Sequence, residues 1–400
     1  MALLQLAATG PQDTRLTGDP QLSLFKSKHT RHTPFAVEWT EESFQNEAKF
    51  GQRCTVEIAK NSDLVKNIVV EATMKRVGDT FFPMEELLQH VEVWIGGTKI
   101  AEYDNTWMRI FDELYRNTME EQLAYREMTS FTNEPLHNTK TMRIPLLFWF
   151  NRTTSQALPL ISLAYSPVEI VFQFAPSVQG VDMSIDPMIK VYAERIFLSN
   201  EERTKFAKAK HTYLIERVQM HKTSTIHIQS TDSKQNLHID LPLNHPTKSL
   251  VWAFVHPTKH GVFNSSLVPF ENRECFGILR SARLLINGQE RQEEKSGSWL
   301  RNVENYCRIG NTPSVGIYSM HFCMNPHDPI QPSGSLNLSA LDATLMMRLK
   351  STTATTPDHV INVEEETVAA AKELNYLHLY GVHWNEFTVQ KGMAGIRWSN

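Results

Sequence analysis

The sequence predicts an all-β chain built as two tandem β-sandwiches, and three observations carry that prediction. A hairpin phrase occurs twice. Val91-Glu92-Val93-Trp94-Ile95 turns at Gly96-Gly97, returns through a polar strand and meets Trp107; Ala282-Arg283-Leu284-Leu285-Ile286 turns at Asn287-Gly288, returns likewise and meets Trp299. Gly-Gly and Asn-Gly between apolar runs suit the two-residue hairpin turn, which requires positive φ at both central residues. The spacing is regular: Gly97 and Gly288 lie 191 positions apart, and Lys190-Val191-Tyr192-Ala193 is echoed by Leu379-Tyr380-Gly381-Val382, with Tyr380 188 positions after Tyr192. Such a period exceeds the ~20 to 50 residues of solenoid repeats, so the repeated unit is a whole domain. Finally, 400 residues exceed the roughly 250 to 300 at which one core stops growing.

Taken in order, residues 1–27 contain Gly10-Pro11, Gly18 and Pro20 without sustained periodicity and read as an extended arm that reaches a neighbour. Residues 28–210 form the first sandwich, with β-like runs at 55–59, 64–74, 91–95, 144–150, 158–165, 168–174 and 189–198. Residues 211–400 form the second, with runs at 212–220, 236–243, 249–255, 278–286, 316–324, 335–338, 343–349 and 374–384. Helices are few. Trp107, Ile110, Phe111 and Leu114 follow the i, i+3, i+4, i+7 stripe of an amphipathic helix over 105–116, lying on the core. Ser199 and Glu202 make a capping box, and Glu201 can pair with Lys205, for a helix that links the domains. Ala369-Ala370-Ala371 favours a third helix over 365–373, as a loop insertion.

Composition narrows the function. With 41% hydrophobic and 21% charged residues the chain is ordinarily globular, and a net charge of −4 with scattered lysine and arginine supplies no basic field for direct nucleic-acid binding. Met1-Ala2-Leu3-Leu4-Gln5-Leu6 lacks the charged and long apolar regions of a secretory signal, so synthesis in the cytoplasm is expected. The strongest apolar stretch, 144–150, is too short to span a bilayer. Cys54, Cys275, Cys307 and Cys323 are too few and dispersed for a disulfide framework and read as small core hydrophobes.

Each sharper feature has a plainer reading. No phosphate-loop string follows Gly96-Gly97 or Asn287-Gly288. His256 and His260, and His378 and His383, are the closest histidine groupings; the latter two fall on opposite faces of a regular strand, and no further ligands complete a metal site. Glu85-Glu86 beside Leu87-Leu88 reads as a surface turn, because neighbours in sequence do not face each other as acid and base. Phe148-Trp149-Phe150 is a conceivable ligand platform, but strand alternation sends Phe148 and Phe150 into a core. The sequons at Asn151, Asn264 and Asn337 read as chance matches. No catalytic, cofactor-binding or metal residue is assigned, no cofactor is expected, and the chain is not expected to be an enzyme.

An eight-stranded antiparallel sandwich repeated in tandem fits a double jelly roll, though other sandwiches share the pattern. The local strings go further. Gly10-x-x-Asp13-x-x-Leu16-Thr17-Gly18-x-Pro20, Arg31-His32-Thr33-x-Phe35-Ala36-x-Glu38, Phe148-Trp149-Phe150, Leu158-Pro159-Leu160-Ile161, Asn244-His245-Pro246-Thr247-Lys248, Gly316-Ile317-Tyr318, Gln331-Pro332-Ser333-Gly334 and Gly392-Met393-Ala394-Gly395 together resemble the major capsid proteins of nucleocytoplasmic large DNA viruses over nearly the whole chain. The chain departs from that pattern at Ser339-Ala340-Leu341-Asp342, where the family usually has a basic residue at the alanine. The resemblance implies two jelly rolls per chain, homotrimers with a pseudo-hexagonal outline, and an icosahedral virion shell whose further partners are neighbouring capsomers, minor capsid proteins and a nearby internal membrane. A monomeric tandem sandwich that binds carbohydrate or a cell surface is the alternative from the residues alone.

Overall fold

The computed structural model describes residues 2–398 apart from 28, 76, 78–83, 117, 130–138, 179, 223–235, 256–278, 314–315 and 350–375. The first eight strands are β1 (Phe35–Glu42), β2 (Arg53–Glu57), β3 (Leu64–Lys75), β4 (Leu88–Ile95), β5 (Thr98–Asp104), β6 (Thr139–Pro145), β7 (Val168–Phe174) and β8 (Met188–Leu198). They form two four-stranded sheets in the orders β1-β8-β3-β6 and β2-β7-β4-β5. The next ten are β9 (His211–Lys222), β10 (Asn236–Asp240), β11 (Pro246–Val255), β12 (Leu279–Ile286), β13 (Gln289–Ser296), β14 (Ile317–His321), β15 (Leu336–Asn337), β16 (Ala343–Leu349), β17 (Tyr376–Gln390) and β18 (Met393–Ile396). Strand for strand the first order returns as β9-β17-β11-β14 and the second as β10-β16-β12-β13, while β15 and β18 extend β11 and β17. Every ladder among these strands is antiparallel, so each half is a jelly roll of facing sheets.

Alternation builds the sheets. In β3, Ile68, Val70, Ala72 and Met74 point inward while their neighbours stay partly exposed. Both hairpins turn as the dipeptides require: φ is 59° and 79° at Gly96 and Gly97, and 49° and 76° at Asn287 and Gly288. One hydrophobic core fills the first sandwich and runs on into Val251, Ala253, Ile317, Tyr380, Val382, Phe387 and Val389 of the second half; another lies inside the second sandwich around Trp252, Leu284, Leu345 and Leu379.

Several expectations need correction. Strand β6 ends at Pro145, and Trp149–Arg152 is a turn of helix. Phe148, Trp149 and Phe150 are all buried, which strand alternation does not allow and a helical turn does. The run at 158–165 holds a 3-10 turn over Leu160–Ser162, and Leu158 makes only an isolated bridge to Val65, because Pro159 has no N–H to extend a ladder. Glu85 lies in a buried 3-10 turn over Met84–Glu86 rather than at the surface. Cys54 and Cys323 are buried, but Cys307 is exposed. Ala2–Ala7 and Thr14–Thr17 are helical in place of an extended chain, with Leu3, Leu4, Leu6, Leu16, Leu22, Leu24 and Phe25 all exposed. The predicted helices at 105–116 and after Ser199 form over Asn105–Tyr115 and Asn200–Lys208, the latter between β8 and β9. The expected helix at 365–373, together with His256, His260, Asn264 and Cys275, lies outside the described residues.

Candidate assembly interface

The densest constellation of polar and aromatic side chains joins the two halves. Strand β5 ends at Asp104, whose Oδ1 accepts the Trp107 N–H at 2.9 Å and so caps helix Asn105–Tyr115. The same carboxylate, 1% exposed, accepts the Tyr380 hydroxyl at 2.9 and 3.0 Å and pairs with Lys222 Nζ at 2.9 Å. Trp107 packs on Tyr380 with ring centroids 5.2 Å apart. Both partners of that aromatic contact are buried, so the seam is a desolvated extension of the core rather than a hinge.

A second group lies further along the seam. Glu216 of β9 receives both Arg152 Nη1 and Lys248 Nζ, and all three side chains are largely buried. Gln156 donates to the Leu214 carbonyl at 2.8 Å, and Trp149 meets Phe387 at 5.3 Å. Asn311 Nδ2 donates to the Glu113 and Arg116 carbonyls at 2.9 and 3.1 Å. Among these groups remains a cavity of only about 30 Å³, lined by Trp107, Phe111, Tyr115, Trp149 and Arg152. Small-molecule sites span ~300 to 1,000 Å³, so this space is a packing defect and not a ligand pocket.

Titratable clusters elsewhere have structural partners. Glu85 accepts the Tyr125 hydroxyl at 2.9 Å; Glu113 pairs with Arg109 and Arg126, and Asp112 with Arg116 at 2.7 Å. Burial, reinforced by the Glu85 charge, pushes the Glu86 carboxyl up to about 7, and burial takes Asp112 to about 6. His378 contacts the Tyr380 hydroxyl at 3.3 Å, whereas His383 stacks on His245 at 4.5 Å, so the two histidines serve different partners. Among the described residues, His90, Glu92 and Glu102 have metal-ligand spacing. Their oxygens are already engaged by Arg53 at 2.6 Å, Trp94 at 2.7 Å and Lys99 at 2.7 Å, and the hydrogen bond from His90 leads in holding Glu102 down to about 2. The donor set acts as an ion-pair network. Of the sequons, Asn151 has both side-chain polar atoms buried without a partner, while Asn337 caps Ser339 at the surface.

The outward-facing features are apolar. Edge strand β1 pairs only with β8 and exposes Phe35 (59%), Val37 (46%) and Trp39 (49%) on one face. This stripe was readable as strict alternation, yet no β run is predicted there, because Arg31-His32-Thr33 and Glu38 dilute the window. Trp299 and Tyr306 are exposed on the helical segment after β13, which the sequence reading also misses.

Comparison with known families places this architecture. Residues 23–199 match the major capsid protein N-terminus model and residues 202–395 the large eukaryotic DNA virus major capsid protein model. The major capsid protein of Paramecium bursaria Chlorella virus 1 is 36% identical, with 100% of this chain and 99% of the relative covered. The chain belongs to the large eukaryotic DNA virus major capsid proteins. A second member, from Pyramimonas orientalis virus, is 31% identical over 100% of this chain and 99% of its own. Among solved structures, the quasi-atomic model of the PBCV-1 virus capsid superposes with a TM-score of 0.86 at 32% identity, covering 94% of this chain and 100% of that one. The Faustovirus major capsid protein, at 10% identity and a TM-score of 0.64 over 97% and 96% of the two chains, shares the fold. As a member of this family the protein is a structural component of the virion capsid with a double jelly-roll fold, and not an enzyme.

Proposed function

We propose that three copies of this chain close into a ring of six lobes, and that these pseudo-hexagonal capsomers tile the icosahedral shell of a large double-stranded DNA virus. The observation that carries the reading is internal. Two sandwiches of one strand order already sit side by side through an apolar, charge-buried seam, and the chain still has an aromatic edge strand exposed at β1. An exposed edge with three large apolar side chains is an aggregation hazard in a monomer and a natural seam in an oligomer. A closed three-fold ring uses a heterologous interface, and obligate interfaces of that kind bury roughly 2,000 to 5,000 Å². Individually weak contacts between rings then suffice, because a closing shell raises their effective concentration.

In this scheme residues 28–210 and 211–400 are the two lobes and residues 1–27 the arm that ties neighbours or an inner-shell protein. The arm's exposed leucines and Phe25 support that role. Minor capsid proteins and an internal membrane lie beneath the shell, the chain is made in the host cytoplasm, and with a charge of −4 it makes no direct nucleic-acid contact. No helix among the described residues is long and apolar enough to cross a membrane. Light scattering on the purified chain tests the proposal: the expected mass is three times 45.9 kDa, and a stable monomer at high concentration contradicts it.

A further inference from the structure

We infer that the seam between copies repeats the seam within the chain, so that Trp299 of one copy packs on Tyr192 and the Phe35-Val37-Trp39 stripe of the next; this rests on the ring proposed above. Matching positions in the two halves make the argument. Trp107 follows edge strand β5 and receives its cap from Asp104 Oδ1 at 2.9 Å, while Trp299 follows edge strand β13 and its N–H bonds Ser296 Oγ at 3.2 Å. Each tryptophan is three residues past its capping residue. On the receiving side, Tyr380 of β17 lies between Val251 of β11 and Met220 of β9. Tyr192 of β8 lies at the same node, between Val69 of β3 and Glu41 of β1.

Within the chain one tryptophan meets one tyrosine: Trp107 is 4% exposed and Tyr380 fully buried, 5.2 Å apart. The second pair is left uncovered. Trp299 is 43% exposed, Tyr192 is only half-buried, and the β1 stripe beside it, Trp39 on the same face, is open. Applying the in-chain relation once more, from a second half to the next first half, puts β13 and its helical segment against the outer face of β1 and β8. Repetition of one heterologous relation adds no new contact type and closes a ring when its rotation closes, as the proposed ring requires. The occupant of the β1 face is therefore a second copy of this chain.

The two seams differ in polarity. Around Tyr380 the receiving face offers Val218, Val251 and Val382, whereas around Tyr192 it offers Glu41, Glu71, Glu194 and Arg143. Lys295, whose Nζ lies 5.7 Å from the Trp299 ring and 3.2 Å from Glu293, is accompanied on β13 by Glu290 and Glu294, so the approaching edge carries both signs. The seam between copies is accordingly wetter than the one within the chain, and more sensitive to salt.

The test mixes two separately tagged chains, each in a Cys275→Ser, Cys307→Ser background, one carrying Trp299→Cys and the other Tyr192→Cys, and treats the assembled mixture with a short bismaleimide. The expected result is a two-chain product at least tenfold above that given when Leu123→Cys, an exposed position outside the proposed contact, replaces Trp299→Cys. A trimeric mass without the product overturns the seam while leaving the ring intact; a monomeric wild type overturns both. Should the variants fail to fold, alkylation of Cys307 in the unmodified chain decides. Cys307 is exposed on one copy, and its counterpart in the helix after β5, Tyr115, is buried. At least tenfold slower labelling in the trimer than in diluted chain supports the seam, and equal rates refute it.

Discussion

At the scale of single residues, Glu216 is the charge on which the seam depends, because it ion-pairs with both Arg152 and Lys248 where both are shielded from water. Replacing it with glutamine leaves two cations with weakened partners, and Glu216→Gln should cost about 3 to 5 kcal/mol in denaturant unfolding. A loss below about 1 kcal/mol would mean that water reaches the site. Glu86 makes the opposite prediction. Its folded pKa, about 7, lies above the ordinary carboxyl value of 4.5 because burial disfavours the ionised form. The stability this raised pKa contributes is fully present below pH ~4.5 and is lost as pH rises through ~7. Glu86→Gln should therefore be more stable than the parent by about 1 to 3 kcal/mol at pH 8, with no such gain at pH 4. Thermal melts at the two pH values check this, and equal shifts at both would discard burial as the cause.

At the scale of elements, the β4–β5 hairpin separates backbone strain from packing. A Cβ at Gly97 meets nothing within 4 Å although φ is 79°, whereas a Cβ at Gly96 would lie 2.9 Å from Ser166 Oγ. Gly97→Ala should cost about 1 to 2 kcal/mol from the left-handed backbone alone, and Gly96→Ala more than that. Equal costs would place the strain elsewhere. The elements legible in sequence were those whose burial is one-sided and whose turns are chemically forced. Strands β7 and β16 fall on their predicted bounds, and both hairpins turn at their dipeptides. What remained hidden depends on long-range cover. Around strand β1 the polar Arg31-His32-Thr33 and Glu38 dilute the alternation of Phe35, Val37 and Trp39, and Phe148-Trp149-Phe150 is apolar at every position because it wedges between two sandwiches. The seam itself had no local signature: Asp104 and Tyr380 lie 276 residues apart, and the repeat that picks out Tyr380 does not reveal its partner.

At the scale of the whole molecule, the duplicated phrase around Trp107 and Trp299 was the most informative part of the sequence, and the structure shows why the copies differ. One tryptophan is consumed by the chain's own second half and the other is left at the surface. In the proposed ring, duplication of this kind would let one chain supply two of the six lobes. Deleting residues 1–25 should leave the melting transition of the sandwiches in place, since their cores draw nothing from the arm, but weaken the assembly of rings into sheets or shells; unchanged assembly would remove the arm from that role. The most direct test of the account is electron microscopy of the purified oligomer with a gold label on an amino-terminal tag. The account predicts a hexagonal outline of six lobes with three labels at alternating lobes. A single two-lobed particle, or labels on adjacent lobes, would contradict it.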